Sequence, residues 1–132
     1  HTFDEKNNNY IKCPSGGPLV QHSLVAMLDL YHDGLISLEK IVEKMCHNPA
    51  KLFRIKKRGF IKEGYYADLT ILDLNKSWTV SKENILYKCG WSPFDGHTFK
   101  SSVKSCFVNG NLVYNSGEFD ESFRGIPLEF DV

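Results

Sequence analysis

The chain changes texture at Gly59, and this break limits what it can fold into. Before it, apolar residues recur at helical spacing; after it, β-branched and aromatic residues gather into short runs separated by turns. Residues 1–17 hold Asn7-Asn8-Asn9 and Pro14-Ser15-Gly16-Gly17 without an apolar repeat, so they read as a loop. Pro18 suits a first helical position, and Val20, Leu24, Met27, Leu28 and Tyr31 follow at helical period, which predicts a helix over 18–32 that stops at Gly34. Ser37 is a fitting N-cap for a second helix with the stripe Leu38, Ile41, Val42 and Met45. Asn48-Pro49-Ala50 then starts a short third helix through Leu52 and Phe53.

In the second half, strands are predicted near 60–62, 68–74, 78–80, 103–108 and 111–115. The last two join through Asn109-Gly110, a pair that readily supplies the two positive φ values of a type I′ turn. Such strands are few, and a sandwich made only from them leaves one face short of partners. From Glu118 onward the tail carries Glu118, Asp120, Glu121, Glu129 and Asp131 against Arg124 alone, as a surface strap or a loosely ordered end. The class is α+β.

At 132 residues the chain can bury a core. Lys plus Arg and Asp plus Glu number 16 each, which removes the basic footprint expected of a nucleic-acid binder. There is neither a membrane-length apolar run nor a signal-like opening, so the chain reads as soluble and cytoplasmic. Cys13, Cys46, Cys89 and Cys106 form no Cys-x-x-Cys pair, and reduced thiols are the plain reading. His1 in place of Met fits a processed chain or a piece of something longer.

Two blocks carry a resemblance. Gly59-Phe60-Ile61-Lys62-Glu63-Gly64-Tyr65-Tyr66-Ala67-Asp68-Leu69 and Phe107-Val108-Asn109-Gly110-Asn111-Leu112-Val113-Tyr114 resemble the closing β-segment of the amidohydrolase superfamily, where Gly-x-Ile-x-x-Gly-x-x-Ala-Asp-Leu leads into a small β-sandwich beside a metal-bearing (β/α)8 barrel. His1-Thr2 with Glu5-Lys6, then Pro14-Ser15-Gly16, look like the stretch after the last barrel strand in dihydroorotases, with His1 on the final histidine of an Asp-His-Ala-Pro-His motif. Pro18-Leu19-Val20-Gln21-His22-Ser23 and Trp91-Ser92-Pro93-Phe94-Asp95-Gly96 are consistent with that subgroup.

The resemblance implies the last part of such an enzyme: residues 1–58 as the loop after the last barrel strand with its flanking helices, 59–117 as accessory sandwich strands, and 118–132 as a tail. It also implies that His1 contacts a substrate carboxylate while the backbone of Ser15 and Gly16 cradles the same end, with Pro14 shaping the loop. The reaction implied is the interconversion of N-carbamoyl-L-aspartate and L-dihydroorotate in pyrimidine synthesis, through a metal, usually zinc, that activates water. Its ligands would include a His-x-His pair, and this chain has none; the catalytic Asp would precede His1. Alone, the chain is expected to be inactive and, with apolar faces uncovered, to self-associate.

Other chemistry-bearing residues have plainer readings. His22 and His32 fit a helix face or a helix C-terminus, and His47 and His97 lack a ligand pattern. Cys46-His47 has no third orienting group for a nucleophile. Asp68 suits backbone bonding at a strand start, Trp91 to Gly96 suits pinning a long connection more than lining a pocket, and Lys56-Lys57-Arg58 suits a solvated turn. Two rivals stay open: an allantoinase or hydantoinase, and a non-catalytic β-module binding a protein partner by its sheet edge.

Overall fold

Residues 1–131 are described by the structure, a computed structural model. The N-terminal loop contains a single helical turn, α1 (Phe3–Lys6), closed by a capping box in which Thr2 Oγ1 accepts from Glu5 N–H and Glu5 Oε2 accepts from Thr2 N–H at 2.7 Å.

The first long helix, α2 (Ser23–His32), begins five residues later than its apolar spacing predicts. Tertiary bonds capture the chain first: Gln21 N–H donates to the Tyr87 hydroxyl at 2.8 Å, and the Gln21 amide spans Asn84 C=O and Leu86 N–H. The buried face is correspondingly Val25 and Leu28, while Val20 stands 88% exposed. Ser37 caps α3 (Leu38–Val42) by accepting from Lys40 N–H at 3.2 Å.

Where two separate helices are expected, α3 instead runs through a π-helical turn, Glu43–His47, straight into α4 (Asn48–Leu52). Pro49 lacks an N–H and its ring crowds the preceding turn, which a wider turn relieves.

Gly59 then packs on that helix. Its φ is +78°, and a Cβ there would lie 2.4 Å from Ala50 Cβ and 2.8 Å from Cys46 C=O oxygen. The expected strand at 60–62 does not form, because Phe60 stacks on His47 at 4.3 Å and Lys62 C=O closes a turn with Tyr65 N–H, leaving Ile61 92% exposed.

The strands are β1 (Leu69–Asp73), β2 (Trp78–Thr79), β3 (Thr98–Phe99), β4 (Ser102–Val108), β5 (Asn111–Asn115) and β6 (Glu118–Phe119). An antiparallel sheet runs β1-β4-β5-β6, and β2 pairs with β3. Asn109 and Gly110 have φ of 51° and 83°, the values the hairpin expectation requires. Two short strands, β3 and β6, escape the sequence reading, since two residues are too few for an alternation to show.

The core sits between α2 and the β2/β3 pair, where Val25, Val80 and Phe99 are buried with Ala26, Trp78, Ile85 and Phe94 against them. The four-stranded sheet stays half open, with Leu69 37% and Ile71 46% exposed.

Asp68 ties the two halves together. Its Oδ1 accepts from Asn109 N–H at 2.7 Å, its Oδ2 pairs with Arg58, and the neighbouring Ala67 C=O accepts from Gly110 N–H at 3.0 Å. Arg58 therefore does not sit in a solvated turn: its side chain is 11% exposed and lies 4.4 Å over the Tyr66 ring. After β6 the tail straps back across the molecule. Ile126 N–H bonds Asn109 Oδ1, Phe130 bridges Ile55, and Lys56 pairs with Asp131.

Candidate functional site: a cleft at the N-terminal loop

The loop between α1 and α2 is held shut from inside. Lys6, at the end of α1, donates its ammonium to Pro14 C=O and, at 2.7 Å, to Gly16 C=O. Gly16 adopts a φ of +86°, which an L side chain resists, and so lets the loop reverse. The N–H groups of Ser15, Gly16 and Gly17 are exposed and donate to no protein acceptor among the described residues. His1 is set by two contacts. Trp91 Nε1–H donates to its carbonyl at 3.0 Å, and its Nδ1 lies 3.4 Å from the Glu5 carboxylate that the capping box already holds. The His1 Nε2 makes no hydrogen bond among the described residues.

These residues enclose one cleft of about 290 Å³ lined by His1, Lys6, Ser15, Gly16, Gly17, Pro18, Cys89 and Trp91. The three residues singled out from sequence, His1, Ser15 and Gly16, thus share one wall system. A ring donor, exposed backbone N–H groups and an ammonium suit a small anion such as a carboxylate. A larger hollow of about 960 Å³ lies between α2 and the four-stranded sheet, but it contains none of these three residues and is mainly apolar.

Trp91 and Lys6 line the cleft with His1, Ser15 and Gly16, and Glu5 braces His1 from outside the lining; sequence reading gave Lys6 and Glu5 no role there and favoured pinning over pocket lining for residues 91–96. The signal for Trp91 is the aromatic and proline cluster around it, whose partner lies 90 residues away.

His22 departs furthest from expectation. It is fully buried rather than on an open helix face, ringed by Trp78, Tyr87, Phe94 and Phe99, with Nδ1 3.1 Å from Ser92 Oγ and Nε2 without a partner. That contact anchors the segment carrying Trp91, which agrees with the pinning expectation for residues 91–96.

Burial pushes the His22 pKa below its ordinary value of 6.5. Below that pH the unfolded chain gains a proton that the folded one refuses, so this contribution is full above 6.5 and declines as pH falls. Urea midpoints taken from pH 7.5 to 5.5 should fall, and His22→Phe should flatten that fall; parallel profiles would refute the assignment.

Of the other histidines, His32 bonds Ser101 Oγ at 2.8 Å and His97 bonds Asp29 at 2.8 Å, while His47 stacks on Phe60. Among the described residues no three His, Cys, Asp or Glu side chains come together as metal ligands, and Cys13, Cys46, Cys89 and Cys106 are free thiols. Among these residues, too, no helix is long and apolar enough to cross a membrane.

Residues 9–113 match the model of the Amidohydrolase family, and the chain belongs to that family. Within it the chain is similar to dihydroorotases: 36% identical to that of Pyrococcus furiosus over 95% of this chain and 29% of the relative, and 40% identical to that of Endomicrobium trichonymphae over 86% and 27%. The chain therefore spans less than a third of the length of these relatives.

Among solved structures, the L-hydantoinase of Arthrobacter aurescens superposes with a TM-score of 0.75 at 36% identity, covering 83% of this chain and 25% of that one. The dihydropyrimidinase of Brevibacillus agri gives 0.80 at 25% identity, covering 90% and 27%.

Proposed function

We propose that this chain is the C-terminal part of a dihydroorotase, a cyclic amidohydrolase interconverting N-carbamoyl-L-aspartate and L-dihydroorotate in pyrimidine synthesis. Residues 1–58 would be the loop after the last barrel strand and the barrel-flanking helices, 59–117 the accessory sandwich strands, and 118–132 the tail. The observation that carries the reading is the cleft in which His1, Ser15 and Gly16 meet. Identity of 36–40% to dihydroorotases over most of the chain supports it.

In this reading the chain binds and orients. His1 Nε2–H and the N–H groups of Ser15 and Gly16 hold the substrate carboxylate while the neighbouring ring amide opens or closes. Trp91 and Glu5 keep His1 in place, and Trp91 walls the cleft. The described residues do not fit a zinc site, so a metal that supplies activated water would be held by residues elsewhere in the full-length protein, and this chain alone would be inactive. The setting would be cytoplasmic, with a small-molecule substrate, no nucleic acid, and self-association of the isolated chain through its open sheet.

Assay of the full-length protein with dihydroorotate, allantoin and hydantoin tests the assignment, with dihydroorotate expected to be preferred. The hydantoinase and dihydropyrimidinase structures make a preference for hydantoin the second reading, and that result would displace the first. His1→Ala should raise KM for dihydroorotate roughly 10-fold or more, the size of a lost hydrogen bond to a charged group, and an unchanged KM would remove His1 from the site.

A further inference from the structure

We propose that Lys6 is a positioning residue that turns the Ser15–Gly17 loop into a cradle for the substrate's carboxylate; the inference rests on the dihydroorotase reading above. Lys6 donates to two carbonyls of the same loop, those of Pro14 and Gly16. A trans peptide is planar, with its C=O and N–H pointing in opposite directions, and there is no cis peptide among the described residues. Drawing the Pro14 and Gly16 oxygens onto the ammonium therefore points Ser15 N–H and Gly17 N–H the opposite way within the same peptide planes. The positive φ of Gly16 between them is the left-handed member of the alternating pair that an anion nest requires.

Two further observations agree. Neither N–H donates within the described chain, so both stand free for a ligand. Lys6 also makes no ion pair with a carboxylate among the described residues, so its charge beside the cleft is not cancelled by a direct partner. Without the ammonium, the two carbonyl oxygens would be free to swing toward an incoming anion and repel it.

The test uses the full-length enzyme with dihydroorotate as substrate. Lys6→Met keeps the stem and removes the charge; KM should rise at least 10-fold while kcat falls less than threefold and the melting temperature is retained. Lys6→Arg, which can still donate to both carbonyls, should return KM to within about threefold of wild type. An unchanged KM in Lys6→Met, or kcat and KM failing together in both variants, overturns the inference. Should Lys6→Met not fold, Lys6→Gln, which can reach fewer acceptors, carries the comparison: an intermediate KM is expected and a wild-type KM overturns the inference. If the wild-type enzyme does not turn over dihydroorotate at all, the functional reading fails first and takes this inference with it.

Discussion

Gly59→Ala is expected to destabilise the full-length protein by about 3 kcal/mol, with the loss read as a shift of the urea midpoint at constant slope. Two causes add. The φ of +78° costs an L residue about 1–2 kcal/mol, and the new methyl would meet Ala50 Cβ at 2.4 Å and the Cys46 carbonyl at 2.8 Å. The second neighbour is helix backbone, which cannot swing aside, so the π-helical turn and α4 must shift, at about 1–3 kcal/mol for overpacking.

Gly64 supplies the control. Its φ of +79° is nearly the same, yet a Cβ there meets nothing within 4 Å, so Gly64→Ala should cost only the backbone part, about 1–2 kcal/mol. Equal losses at the two glycines would mean that close packing at Gly59 is not what requires glycine there.

Asp68→Ala should cost about 2–4 kcal/mol, although Asp68 lies outside the hydrophobic core. Its removal orphans the Asn109 N–H and leaves the nearly buried Arg58 guanidinium, whose Nε and Nη2 already lack partners, without its counter-charge. Asp68→Asn keeps an acceptor for the hairpin and should lose less. Arg58→Met combined with Asp68→Ala should cost less than the sum of the single changes, because the uncompensated charge has gone. Strict additivity in that cycle would show that the pair is not coupled and that the hairpin bond alone accounts for Asp68.

Much of this was legible before any coordinates. The Ser37 cap and the Asn109-Gly110 turn each depend on a few neighbouring residues whose conformational preferences are written locally. His1, Ser15 and Gly16 could be singled out by motif, but the contact of Trp91 with them could not, since its hydrogen bond to His1 spans 90 positions of the chain. The helix predicted from residue 18 begins at Ser23 because Tyr87, Asn84 and Leu86 hold Gln21, a competition that periodicity does not register. The same holds for Phe60, which leaves a strand-like run to stack on His47.

By itself the sequence determined the α-then-β order, the principal turn and the loop that carries the cleft, because these follow from φ preferences, capping and apolar spacing within a few residues. Only the tertiary structure decided that His22 is buried, that Arg58 is paired and that Lys6 shapes the loop. Those outcomes depend on which groups distant in sequence arrive beside these side chains, and local φ preference and apolar spacing carry no record of that.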